Sequence, residues 1–401
     1  MEDGILEAAR RLLPLPTAPY CEHFVADEVR SLAEALPAVT CRQDPHGNLL
    51  LLYEGRGAGR RLTVTAHMDH PGLVYAARLS GRDYLFEKAG GVPVEQSRDA
   101  PVRVYLPQCG PRQDGVPGRI TAFCAADSAP VVACGLTTPA FRVRLEAGPG
   151  ADLGPGTFAM LDLPGLELEG RLLRSRACDD VAGCAVGLAW LAEVARGALP
   201  ARCGLLLTRA EEVGFGGMLA AAHGGGLDAE AVYLNVECSS ELAGAPLGDG
   251  PVIRIGDRAW VFDPAIAGAL TAAAADLAGH IPVPDQPPFR YQRRLMDRGT
   301  CEATALARAG YAAGALALPL RNYHNQGKHR LQPEAVDLDD AVGLVRLLLR
   351  LAEHAEGIDG ALQAGTAELD QSLRERLQTT SDRLLRSAAG ACAGGRQAGT
   401  P

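Results

Sequence analysis

Five short polar clusters carry the residues best suited to chemistry. They are His67-Met68-Asp69, Cys178-Asp179-Asp180, the adjacent pair Glu211-Glu212, Glu237 and His324. Imidazole and carboxylate together suit a divalent ion such as zinc, cobalt or manganese. The lack of a thiolate set argues against a structural zinc site. With five or six such groups, two ions sharing one bridging carboxylate is the simplest arrangement. Two ions about 3.5–4 Å apart polarise a carbonyl and lower the pKa of a shared water, which equips a site to hydrolyse an amide. Glu211-Glu212 needs two roles, because neighbouring side chains of an extended chain point opposite ways. One can bind metal while the other reaches the attacking water as general base. A glycosidase instead wants two carboxylates facing each other across roughly 5–9 Å.

Taken singly, each cluster has an ordinary reading. Asp179-Asp180 could cap a helix, Glu211-Glu212 could be solvated surface, and His324 could sit in a surface turn. Their placement argues otherwise. Each follows, directly or within a few residues, the end of an expected strand: RLTVTA, RLLRSRA, LLLTRA, AVYLNV and AGALALPLRNY. Open α/β sheets bind ligands beyond the carboxyl ends of their strands. Five such ends assemble one candidate site.

The elements that must position these groups follow from periodicity. Apolar spacing predicts a helix over about Cys21–Leu36, a turn at Asp44–Asn48 and strands at Leu49–Tyr53 and Arg61–Ala66. From about Pro71 to Pro164 the texture changes to short β-like runs (LVYAARL, YLFEKA, VRVYL, GRITAF, PVVAC, FRVRLEA) between turns. After Leu168 helix and strand alternate. A helix is expected at Asp180–Arg196, with strands at Cys203–Thr208, Ala231–Val236 and Ala313–Leu320. An amphipathic helix over Pro333–Glu356 and a second helical pattern (Leu369, Leu373, Leu377, Leu384) follow, fraying from about Ser387. The expected fold class is α/β: a mostly parallel, doubly covered sheet interrupted by an inserted small all-β domain. Residues 1–70 and 165–360 would form the catalytic domain, 71–164 a β-rich oligomerisation or lid domain, and 361–401 a C-terminal helix and flexible tail.

Composition narrows the class. The chain has 401 residues, 47% hydrophobic and 22% charged, which suits a globular protein of two or more domains. Its formal charge is −9 with no Lys/Arg block, so nucleic acid is not an expected partner. Only Lys88 and Lys328 are lysines; every other basic side chain except histidine is arginine. No basic, apolar leader is visible at the start, and no apolar run approaches the 18 residues of a spanning helix, so no membrane partner is expected. Eleven scattered cysteines without a Cys-x-x-Cys read as small hydrophobes in a reducing cytoplasm.

The order of the clusters resembles the co-catalytic dinuclear metallopeptidase clan. Within it the chain is similar to the glutamyl or tetrahedral aminopeptidase family, also labelled cellulase-M-like. The matching stretches are DPHGNLLLLYEG, TVTAHMDHPGLV, RACDDVAG, TRAEEVGFGG, LGDGPVI and GALALPLRNYH. The likeness runs from about Ile5 to Leu351. It is sharpened by the early β-rich insert, between Asp69 and Asp179, because acylase-type relatives carry their second domain late.

The resemblance implies a zinc-peptidase-like fold and a metal-dependent aminopeptidase acting on short peptides with a free N-terminus. It implies two divalent ions per subunit, zinc first and cobalt or manganese as alternatives. His67 and Glu237 would each bind one ion, Asp179 would bridge both, and Glu212 and His324 would complete the second. Glu211 would be the base, Asp69 would orient His67, and Asp180 would help hold the Asp179 backbone. A homo-oligomer is implied, dimer-based and up to a dodecamer. Three departures stand out: His70 where the family has an acid, Glu237 where it has Asp, and Gly299-Thr300-Cys301-Glu302-Ala303 where it has Gly-Thr-Asp-Ala. Cys178, Cys238 and Cys301 lie beside the presumed site and are expected to be packing residues. Glu237 keeps an N-acyl amino acid deacylase open as an alternative, and the departures keep open a catalytically degenerate metal scaffold.

Overall fold

The computed structural model describes residues 1–394 apart from 37, 58, 109, 111–113, 147–152, 242–243, 280–287 and 355. Helices α1 (Glu2–Leu12) and α2 (His23–Glu34) precede strands β1 (Val39–Gln43), β2 (Leu49–Tyr53) and β3 (Leu62–His67). A β-rich stretch follows: β4 (Gly72–Ser80), β5 (Asp83–Ala89), β6 (Pro101–Tyr105), β7 (Val116–Cys124), the short helix α3 (Ala129–Ala133), β8 (Ala140–Leu145) and β9 (Phe158–Leu161). Next come β10 (Glu167–Glu169), β11 (Leu172–Ser175), α4 (Val181–Arg196), β12 (Cys203–Thr208), α5 (Gly216–His223), β13 (Val232–Ser240) and β14 (Val252–Asp257). The chain continues through α6 (Pro264–Gly279), β15 (Gln292–Met296), α7 (Glu302–Arg308), β16 (Ala312–Leu320), β17 (Glu334–Asp337), α8 (Leu338–Ala352) and α9 (Gly357–Gly394).

Apolar runs set the central sheet. Every residue of β3 and β12 is buried, as are the first seven of β13 and the last eight of β16. Strands this buried have both faces packed. Leu205, Leu207, Leu234 and Val236 join the core that holds α4 and α8, while Leu206 and Tyr233 pack with Met218 of α5 and Leu306 of α7. This is the period of two expected of a strand. The order is β1-β2-β12-β3-β13-β16-β14-β15. The middle run β12-β3-β13-β16 and the pair β14-β15 are parallel; β1-β2-β12 and β14-β16 are antiparallel. The sheet is therefore mixed, with four of its seven strand pairings parallel. The tight Asp44–Asn48 turn, in which the Asp44 carboxylate accepts from His46 N and Asn48 N, joins β1 and β2 too closely for a parallel crossover. Strands β4-β5-β8-β7-β6-β9 close into a barrel around Phe86, Val102, Ile120 and Val143.

Three local expectations are corrected. The run PVVAC lies largely in α3, where Pro130 in the first helical turn and Ser128 before it favour a helix start. Residues Glu334–Asp337 are strand β17, paired to β11, and the expected helix begins only at Leu338, with the Asp337 side chain accepting from Asp339 N. Helix α9 extends past Ser387 to Gly394, so the helix ends later than expected; the last seven residues of the expected tail lie outside those described. Among the described residues no helix is long and apolar enough to cross a membrane.

Candidate metal centre

Strand β3 ends in His67, wholly buried. The chain then turns, and the Asp69 carboxylate faces back. It lies 3.5 Å from His67 Nδ1, which donates its hydrogen bond to the Asp69 carbonyl at 3.1 Å, and it accepts hydrogen bonds from Glu211 N at 3.0 Å and Glu212 N at 3.1 Å. One buried acid thus fixes both the imidazole and the turn that carries the glutamate pair. That turn follows β12. Ala210 there has φ 52°, a left-handed conformation a β-carbon disfavours. Buried Glu22 holds it, accepting from Ala210 N at 3.0 Å and from Arg209 Nε at 2.7 Å.

Asp179 sits just before α4, joined to Asp180 by a cis peptide bond. Its preceding strand, β11, belongs to a separate three-stranded sheet, so this cluster enters from outside the central sheet. Glu237 is the sixth residue of β13, which continues to Ser240, so it is not a strand-end residue. His324 lies in the turn after β16, with φ 54°.

Four side chains converge on Asp179 and His67. His67 Nε2 lies 3.6 Å from Asp179 Oδ1, 3.8 Å from Glu211 Oε2 and 3.8 Å from Glu237 Oε1. His324 Nε2 lies 3.5 Å from Asp179 Oδ2 and 3.3 Å from Glu212 Oε2. Three overlapping groups have the spacing to hold a cation: His67/Asp179/Glu237, Asp179/Glu212/His324 and His67/Glu211/Glu212. The first two share Asp179, one carboxylate oxygen toward each histidine.

The donor set fits cations better than it fits itself. His67 Nε2, Asp179 Oδ1, Glu212 Oε1, Glu237 Oε2 and His324 Nε2 are buried and have no hydrogen-bond partner. Buried polar atoms are normally satisfied, so five orphans in one place call for a bound group. The charges agree. Burial, reinforced by Glu237, Glu212 and Glu302, lifts the Glu211 carboxyl well above the usual range, although His67 opposes this. Burial likewise raises Glu212 and Glu237. Burial opposes a charge on His67, yet Glu211, Asp179, Asp69 and Glu237 outweigh it and raise its pKa. The pocket holds more negative charge than it can carry without a counter-ion.

Two supporting residues were not legible. Buried Glu334, at the start of β17, accepts from Asp179 N at 3.0 Å and from His324 N at 2.7 Å. One carboxylate therefore fixes the backbone of two converging residues. Glu22 does the same for the glutamate turn. The Asp179 backbone was expected to rest on Asp180. Instead Glu334 and His70 hold it, with His70 Nδ1 2.6 Å from the Asp179 carbonyl, while the Asp180 carboxylate turns to His67 N at 3.4 Å. Burial pushes His70 down to about 4, so it is neutral and donates from Nδ1 to that carbonyl. The familial acid is thus replaced by a neutral donor.

A sequence profile described as M42 glutamyl aminopeptidase matches residues 47–347, which include all five clusters. The chain belongs to this family. It is a peptide hydrolase with a mixed α/β fold. No curated protein matches it in sequence. Solved structures share the fold at low identity. A TET aminopeptidase from a marine sediment thaumarchaeote superposes with a TM-score of 0.72 at 18% identity, covering 91% of this chain and 99% of its own. An aminopeptidase from the archaeon Desulfurococcus kamchatkensis gives 0.70 at 22% identity, covering 90% and 98%. The TET1 peptidase of Pyrococcus horikoshii, which can assemble into a tetrahedron or a large octahedral shell, gives 0.69 at 20% identity, covering 87% and 99%.

A cleft of about 350 Å³ opens beside this M42 site, from Glu237 past Ser239, Arg254, Arg298 and Tyr323. Arg254 is only 3% exposed; its Nη1 donates to Ser239 Oγ at 3.2 Å and its Nε has no partner. The neighbouring cysteines stay thiols. Burial raises Cys178 and Cys238 well above the usual range and pushes Cys301 up to about 12.

Proposed function

We propose that the protein is a two-cation aminopeptidase that removes the first residue from short peptides with a free amine. The observation that carries this reading is the Asp179 carboxylate, 3.6 Å from His67 and 3.5 Å from His324, amid orphaned buried donors. His67, Asp179 and Glu237 would hold one ion, and Asp179, Glu212 and His324 the other. Zinc is the first candidate, with cobalt or manganese as alternatives. Such ions supply carbonyl polarisation and a more acidic water. Glu211, raised by burial, takes the proton from the attacking water and returns it to the leaving amine as the C–N bond breaks. Asp69 keeps His67 and the Glu211-Glu212 turn in register. Arg254 gives the adjacent cleft a buried cation, which supports a preference for an acidic first residue.

The wider reading keeps residues 1–70 and 165–360 as the catalytic domain. Residues 71–164 are read as an insert serving as lid or oligomer contact, and 361–401 as an appended helix and tail. The TET relatives' shells support a dimer-based homo-oligomer up to a dodecamer. The nine cysteines that are free among the described residues support a reducing cytoplasm. Glu237, in place of the familial Asp, favours a second reading as an N-acyl amino acid deacylase. The test is a panel of aminoacyl reporter amides, free and N-acetylated. The enzyme is stripped of metal and reloaded with zinc, cobalt or manganese. Metal-dependent cleavage of the free-amine set, acidic residues first, is expected. Cleavage of only the acetylated set would move the protein to the deacylases, and metal uptake without turnover would make it a degenerate scaffold.

A further inference from the structure

Lys88 is one of only two lysines in 401 residues. It is the penultimate residue of β5, half-buried on the barrel. Its Nζ donates to Gly90 O at 2.5 Å, and among the described residues it has no ion-pair partner. An ammonium drawn partly out of water is unfavourable unless a nearby charge compensates it. Burial pulls its pKa down, against the opposing pull of Glu212.

The segment beyond Lys88 rests on the metal centre. A β-carbon at Gly90 would stand 3.0 Å from Glu212 Cβ, and one at Gly91 would overlap the His324 ring. Glycine at both positions lets the barrel backbone close directly on the Glu212/His324 half. Two cations thus stand near the site: Arg254 lines the cleft beside Glu237, and Lys88, bonded to Gly90 O, is within electrostatic reach of Glu212. A peptide bond over the centre has its first residue on one side and its leaving residue on the other. With the first side chain in the Arg254 cleft, the leaving residue would lie on the opposite side, where the segment after Lys88 closes on Glu212 and His324.

We infer that Lys88 binds the carboxylate of the leaving residue, so that dipeptides are the preferred substrates. This rests on the aminopeptidase reading. In a dipeptide the α-carboxylate is two bonds from the scissile nitrogen. In a longer peptide an uncharged carbonyl stands there, and a charge-assisted hydrogen bond is roughly twice as strong as a neutral one.

The test compares Xaa-Ala with Xaa-Ala amide, Xaa being the residue that the reporter panel favours, on the metal-loaded enzyme. Wild type should favour the free carboxylate by about 10- to 100-fold in kcat/KM, mostly through KM. In Lys88→Met the ratio should fall to near one, and Lys88→Arg should retain most of it. Calorimetric titration of the Glu211→Gln variant with the same peptides should give the same ratio in Kd, and adding Lys88→Met should erase it. This reads Lys88 without turnover. No preference in wild type, or an undiminished ratio in Lys88→Met, would overturn the inference. Loss of all free-amine cleavage with the binding ratio intact would refute the aminopeptidase reading alone.

Discussion

Glu211 is the side chain on which the proposed chemistry turns. It is buried, its backbone is pinned by Asp69, and its carboxyl is lifted by burial and by Glu237, Glu212 and Glu302. A carboxylate with a raised pKa is a better match to proton transfer near neutral pH. Glu211→Gln keeps the volume and removes the base. We expect it to lose roughly 10²–10⁴-fold in kcat. Metal content by mass spectrometry and the melting profile should stay close to wild type. Turnover within a few-fold of wild type would end the assignment. The residues around it divide by what they touch. His67, Asp179, Glu212, Glu237 and His324, which the structure brings together, were legible as polar clusters near expected strand ends, although Glu237 lies inside β13. Glu334 and Glu22 were not, because they bind backbone N–H groups, which every residue but proline offers. A carboxylate that serves a backbone leaves no spacing in the sequence.

The same limit applies to elements. Strands β2 and β12 were read to the residue from their apolar runs. Strand β1, the polar VTCRQ, was missed, because it is an edge strand defined by pairing to β2. Strand β17 was absorbed into the following helix, because only its partner β11 makes it a strand. Helix α8 also shows how an element can fix a loop. Asp340, in its first turn, accepts from Gly248 N and Gly250 N at 2.8 Å each, securing the approach to β14 and hence Arg254. Burial raises Asp340 to about 7 even though both N–H groups pull it down. An unfolded Asp titrates near ~3.9. The folded state therefore favours the protonated acid. Its contribution to stability is complete below about 4, declines as pH rises, and is gone above about 7. Asp340→Asn stays neutral throughout. The variant's melting temperature minus that of wild type should therefore rise between pH 5 and pH 8 in differential scanning fluorimetry. An identical difference at both pH values would contradict this.

At the scale of the whole molecule, α9 bears on the proposed homo-oligomer. It lies beyond the matched residues 47–347, and its first part packs on α6, where Gly365 sits against Ala269. Further along, Leu373, Leu377, Leu384 and Leu385 are 53–67% exposed. Steps of four and seven put Leu373, Leu377 and Leu384 on one helical face. Helices draw most of their stability from packing such a face, and contiguous exposed apolar surface is uncommon on a monomer. A formal charge of −9 spread over the chain does not prevent association, because exposed charges are screened within about 8 Å at physiological salt. The expected mass by light scattering at micromolar concentration is therefore a multiple of 42.0 kDa, and it should persist when salt is raised, since apolar contacts are not screened. A 42.0 kDa species would refute the homo-oligomer, and a larger particle that dissociates in salt would assign its contacts to charge and not to apolar surface.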